Sequence, residues 1–192
     1  MRTKTLLLFF LFFFLSLNGA YSGTAPQKIC KKKICFEGSK QLAGQTLPIH
    51  GVGLLEYVML DLYTAALYAP SQFATVDSVL DNVPKSLVLH YHRMIKKEWM
   101  IEASRDRIKK NPANNAEALE SRLKQLDRAY QKVNKGDRYE LRYEPGVGTS
   151  LILNGKLQAT IEGEDFQRAF FGIWLSEIPL NKKLRDKLLT QA

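Results

Sequence analysis

The feature that most limits what this chain can become is the run "HGVGLLEYVMLDLYTAALYAP" over residues 50–70. It opens on two glycines two apart, and Glu56 and Asp61 are its only acidic residues. A bilayer-spanning helix would carry both carboxylates inside hydrocarbon, each at a cost of several kcal/mol. A phosphate loop would need a helix directly after the glycines, with its N-terminus facing the anion. The residues after the glycines are strand-favouring instead: Tyr57, Val58, Leu62, Tyr63, Thr64, Leu67 and Tyr68, stopped by Pro70. The stretch reads as a pair of short strands lining a core or pocket, with Gly51 and Gly53 as turn glycines. The second "GVGT", at 146–149, reads the same way.

Upstream, Arg2 and Lys4 precede an apolar run from Leu6 to Leu17, followed by the small and polar "NGAYSGTAP". Basic start, short apolar core and small-residue zone are the order of a secretory signal, and the core is too short to cross a bilayer. The expectation is a signal peptide over 1–22, a flexible basic segment over 23–33 and one domain over 34–192, exported to the periplasm or secreted. Removing Arg2 and Lys4 takes the formal charge from +9 to +7, so the remainder stays basic. Part of that charge is local, in "KICKKKIC" at 28–35. A lysine cluster can touch an anionic membrane surface. No recognition motif or aromatic-interleaved basic face accompanies it, so no nucleic-acid partner is expected. The two cysteines, Cys30 and Cys35, are spaced C-x4-C. Export makes a local structural disulfide the expectation, with free thiols as the alternative; the spacing suits neither a C-x-x-C redox site nor, without further ligands, zinc.

The rest of the chain alternates strand and helix signals without repeat or linker. "TVDSVLDNVP" predicts a short helix ended before Pro84. "KSLVLHYHRMI" at 85–95 predicts a strand with Leu87, Leu89 and Tyr91 on one face and Val88, His90 and His92 on the other. Lys96 to Lys110 predicts a helix with Trp99, Ala103 and Ile108 near one stripe. After Asn111-Pro112, the spacing of Ala116, Leu119, Leu123, Leu126, Tyr130 and Val133 predicts a long helix closed by Asn134 to Gly136. Three strands come next, two of them joined at Asn154-Gly155, a strong hairpin signal. Asp165 is placed to cap a helix carrying Phe166, Ala169, Phe170, Ile173 and Trp174 on one side, and Asn181 to cap a final short one. The pattern predicts an α+β fold, an antiparallel sheet covered by helices on one face.

By residue chemistry alone no catalytic constellation stands out. His90 and His92 leave one face of a strand together, but a metal site needs a third ligand, and a hydrogen-bonded face is the simpler reading. No cofactor is implied. Aromatic residues are plentiful, and clefts between a sheet and its helices are where small-molecule sites often lie.

The order "GVGLLEYVMLDLYTAALYAP", a strand ending "HYHRMI", a long helix and "GDRYELRYEPGVGTSLILNGKLQATIEGEDFQRAFFGIWLSEIPLNKKLRDKLL" resembles the chalcone isomerase-like family over roughly residues 34–190, nearest its bacterial exported branch. The resemblance implies an open-faced β-sandwich, a large antiparallel sheet covered by helices on one face with a pocket between the layers. In the ring-closing isomerases an arginine follows the Gly-x-Gly, a threonine lies in the next strand, a tyrosine opens the following helix and a hydroxyl sits late in the pocket. Those positions fall here on Leu55, Tyr63, at or near Trp99, and near Gly172. Leucine offers no donor for an anion, and an indole cannot supply a proton as a phenol can. Each lost donor costs about a hundredfold in rate, so chalcone cyclisation is not expected. Non-catalytic relatives bind fatty acids with the same arginine and a tyrosine, and Leu55 lacks that grip; Arg93 and Arg142 are the alternative cations. The leading expectation is a non-catalytic protein holding an apolar or lipid-like molecule, such as a fatty acid, against Leu55, Tyr63, Trp99 and Gly172. The rivals are an isomerase or lyase with a non-standard residue set, for which Glu56, Asp61 and His90 are the candidates, and an interaction protein with a filled pocket.

Overall fold

The computed structural model describes residues 27–71 and 76–190; the segment read as a signal peptide lies outside the described residues. Among the described residues nine strands follow in chain order: β1 Lys28–Lys31, β2 Ile34–Glu37, β3 Ser39–Leu42, β4 Gln45–Tyr57, β5 Leu60–Tyr68, β6 Lys85–Tyr91, β7 Arg138–Glu144, β8 Gly148–Leu153 and β9 Lys156–Ile161. β3 to β9 form a seven-stranded antiparallel sheet in sequence order, and β1 and β2 form a separate two-stranded ribbon. A 3-10 turn spans Val76–Leu80, and the helices are α1 Lys97–Lys110, α2 Glu120–Ala129, α3 Glu164–Leu175 and α4 Lys182–Leu189.

The alternation of side chains along the strands builds two cores. Leu87, Leu89 and Tyr91 point into the main cluster, with Leu141, Leu151 and the α3 rings. Each fully buried ring or aliphatic side chain there, Phe166, Phe170 and Phe171 among them, contributes about 1.5–3 kcal/mol. Val88, from the opposite face of β6, joins a second cluster with Phe36, Tyr68 and Leu47 under the β1–β2 ribbon. Residues 28–33 therefore are not a loose basic tail: four of them form β1, Cys30 is paired with Cys35 across the ribbon, and the two are joined by a disulfide of 2.10 Å.

Among the described residues four hairpins close with two residues at positive φ: Lys32-Lys33, Ala43-Gly44, Val58-Met59 and Asn154-Gly155. That geometry favours Asn and Gly, and a residue with a side chain held there costs about 1–3 kcal/mol. Ala43-Gly44 and Asn154-Gly155 place glycine at the second position; the lysine pair and Val58-Met59 do not.

Gly51 and Gly53 are not turn glycines: both lie inside β4, where α4 crosses it. A Cβ on Gly51 would overlap the Lys187 carbonyl oxygen, and one on Gly53 would meet Leu184 Cδ1 at 2.5 Å. The bare backbone is a notch for a helix. The long helix after Pro112 is also shorter than its periodicity predicts, covering only Glu120–Ala129. Asn111 and Asn115 accept from Ala113 and Ala118 backbone nitrogens, local bonds that compete with helix formation. At the other end Tyr130 turns extended so that Val133 can bridge Ile95. The apolar residues Leu119, Leu123, Leu126, Tyr130 and Val133 are all buried nonetheless. At α3 the cap residue is Gly163; Asp165, one residue into the helix, pairs with Arg122 instead. Asn181 caps α4 by accepting from the Leu184 nitrogen at 2.8 Å.

Candidate functional site

Among the described residues, two groups of polar side chains stand out in the layer between sheet and helices. The first is a group of tyrosines. Tyr63 from β5, Tyr91 from β6 and Tyr139 from β7 lie side by side, and Tyr130 reaches in from the end of α2. Rings meet edge to face at 5.5 Å for Tyr63–Tyr91, 6.3 Å for Tyr91–Tyr139 and 6.1 Å for Tyr130–Tyr139, a favoured arrangement for aromatic quadrupoles. The Tyr63 hydroxyl accepts from the Trp174 indole nitrogen at 2.8 Å, and the Tyr130 hydroxyl shares a 2.8 Å bond with Ser104. The fully buried Tyr91 hydroxyl has the thioether sulfur of Met100 at 3.8 Å, a weak acceptor. Burial pushes the Tyr63, Tyr91 and Tyr130 phenols up from their ordinary value, the Trp174 and Ser104 bonds offsetting a little of this for Tyr63 and Tyr130. At neutral pH these groups are neutral hydrogen-bonding partners, not proton carriers.

The second centres on Lys85, at the start of β6 and six residues from Tyr91 on the same face. Its side chain is 0% exposed, and among the described residues it is the only buried lysine or arginine. Nζ donates to Gln167 Oε1 and to the Asp81 carbonyl, each at 2.9 Å. The Tyr143 ring centre lies 4.5 Å away and the Phe171 ring centre 5.5 Å away, so the ammonium sits between aromatic faces. Among the described residues no carboxylate is within ion-pair distance of it. Desolvation is the main cause of a fall in its pKa to about 7, resisted by the charges of Asp81 and Glu164.

The residues singled out in the sequence are only partly brought together. Leu55 and Tyr63 are buried cross-strand partners facing the helices. Gly172 is buried in α3, on the helix that also carries Trp174, and its carbonyl accepts from Ser176 Oγ at 2.7 Å. Trp99 stands apart: it is 59% exposed on α1, and the next residue, Met100, turns inward. Arg142 bonds Glu140 on the far face of the sheet, and Arg93 donates to the Asp61 carbonyl at the β4–β5 tip. Neither supplies a cation to the layer. Of the groups named for a non-standard enzyme, Glu56 is exposed, Asp61 is paired with Lys32, and His90 accepts from Arg138 on the far face. His92 bonds Thr64 Oγ1 at 2.8 Å. No motif in the sequence marks Lys85 or Gln167, although the alternation that turns Leu87, Leu89 and Tyr91 inward places Lys85 on the same face.

A helix-covered antiparallel sheet with a sheltered aromatic layer defines the class of fold. The sequence matches the chalcone isomerase-like family over residues 31–190, and the chain belongs to that family. No curated protein matches it. Among solved structures, a fatty-acid binding protein of Arabidopsis thaliana superposes with a TM-score of 0.66 at 17% identity, covering 85% of this chain and 96% of its own. At that identity the likeness is one of fold.

Proposed function

We propose that this protein holds an apolar molecule with an anionic end, an acyl acid in chemical class, between its sheet and its helices, and does so outside the cytoplasm, as the bacterial exported branch of the family would. The observation that carries the reading is Lys85: a buried ammonium in an aromatic setting with carbonyl partners and, among the described residues, no carboxylate paired with it. A charge buried without an opposite charge is costly, and an incoming carboxylate would relieve that cost. Leu55 leaves no cation where an arginine would serve, and Lys85, two strands away, offers one on the same face. The solved fatty-acid binding protein of the same fold and the Cys30–Cys35 disulfide, a bond favoured in oxidising compartments, lend support.

Native mass spectrometry of protein purified from its own host tests it. The expected result is a retained anionic apolar molecule, and a Lys85→Met variant that binds acyl acids at least about tenfold more weakly. Binding should also weaken as pH rises above about 7, where Lys85 loses its proton. An empty protein that ignores a panel of acyl acids would overturn the reading and leave a filled scaffold.

A further inference from the structure

Two hairpin tips meet at one edge of the molecule, and both break the residue rule for their turn. The β4–β5 tip presents Tyr57, Val58, Met59 and Leu60 to solvent, with Val58 70% and Met59 94% exposed. Val58 and Met59 hold φ of 47° and 60°, where a β-branched residue is especially disfavoured. The β1–β2 turn beside it holds Lys32 and Lys33 at 47° and 66°. Lys32 Nζ reaches Asp61 at 2.8 Å, fastening the basic turn to the apolar one. Asn154-Gly155 adopts the same geometry with residues suited to it, so the fold does not require strain in such a turn. Strain kept at an exposed apolar tip calls for a use.

We propose that the Tyr57–Leu60 tip and the Lys31–Lys33 turn together dock on an anionic lipid bilayer, the apolar side chains entering the interface and the lysines facing the headgroups. Charge complementarity selects this partner. Lys32, Arg93 and Lys135 line an open recess of about 450 Å³ together with Met59 and Leu60. Counting Lys31 at the end of β1 and Lys33 on the adjoining turn, five cations stand against two carboxylates, Glu56 and Asp61. A projecting finger of Tyr, Val, Met and Leu with cations at its base suits the bilayer boundary, where apolar side chains sink and basic ones stay at headgroup level. A protein partner would need a groove of its own to receive it. The inference is independent of what the sheet–helix layer holds.

Sedimentation of the disulfide-bonded protein with vesicles tests it. Phosphatidylcholine vesicles containing roughly one third phosphatidylglycerol should carry the protein down, and pure phosphatidylcholine should do so at least about tenfold less. Added salt should weaken the binding. The double variant Val58→Asn, Met59→Gly, which installs the residues of the 154–155 turn, should bind about tenfold or more weakly while melting no lower than the parent. Lys31→Glu with Lys33→Glu should bind comparably poorly. Unchanged binding in the Val58→Asn, Met59→Gly variant, or equal binding to neutral vesicles, would overturn the proposal. So would self-association that this variant abolishes in a protein that ignores both kinds of vesicle.

Discussion

Lys85 Nζ donates to Gln167 Oε1 at 2.9 Å, a contact across 82 positions of chain that joins the start of β6 to the first turns of α3. Gln167 in turn donates from Nε2 to the Leu80 carbonyl at 2.8 Å, so one side-chain pair holds sheet, helix and the 3-10 turn together. The cost of keeping an ammonium there is visible in its pKa. The group titrates at about 7 when folded, against 10.5 as its ordinary value.

The sign of the resulting pH dependence comes from proton counting. Between about 7 and 10 the unfolded chain binds the Lys85 proton and the folded chain does not, so the penalty is full below that window and fades as pH rises through it. Stability should rise by a few kcal/mol across the window, before buried tyrosines, whose pKa values are raised, reverse the trend at higher pH. Denaturant titrations at a series of pH values measure it. Lys85→Met should flatten the rise; an unchanged slope would assign it to other groups.

The Trp174–Tyr63 bond makes a second test. It is a buried neutral hydrogen bond of 2.8 Å between α3 and β5. Tyr63→Phe leaves the indole N–H without its acceptor and should cost about 1–3 kcal/mol, whereas Tyr63→Phe combined with Trp174→Phe should cost less than the sum of the two single changes. A strictly additive cycle from chemical unfolding would show that the two side chains act separately.

What the sequence disclosed and what it hid divide by the range of the interaction. Asn154-Gly155 and the alternation of Leu87, Val88, Leu89 and Tyr91 are local signals, and both appear in the structure as read. Tyr130 keeps its helical spacing yet leaves the helix, because Val133 is claimed by Ile95 from 38 positions earlier. Of the candidate site, the family resemblance assigns Leu55, Tyr63, Trp99 and Gly172 alike by register, and that register finds buried positions at Leu55, Tyr63 and Gly172 but not at Trp99. A one-position shift on a helix turns a side chain by about 100°, which separates buried Met100 from exposed Trp99. Lys85 was legible by parity. Its burial was not, because lysine at a strand end ordinarily reaches water.

Gly51 tests the notch that the sequence could not announce. Its missing Cβ leaves space for the backbone of α4 at Lys187 and Leu188, which cannot yield as a side chain could. Gly51→Ala should therefore destabilise by about 2 kcal/mol or more, through displacement of α4. Gly155→Ala, where nothing lies within 4 Å, should cost only the strain of its positive φ, about 1 kcal/mol. Thermal melts of the two variants side by side separate a packing role from a turn role; equal losses would remove the packing argument.

The β4–β5 tip offers the opposite sign. Val58 and Met59 are exposed and strained, so replacing them with Asn and Gly removes little packing and relieves two unfavourable backbone conformations. The double variant should gain about 1–2 kcal/mol in chemical unfolding, with Gly's greater unfolded-state entropy taking back part of the relief. A gain in stability coupled to a loss of vesicle binding would mean that the native residues are kept for what they touch outside the fold, since the turn itself closes better without them. If the variant instead loses stability, Val58 and Met59 support the fold through contacts that their exposure does not reveal, and the strain argument fails.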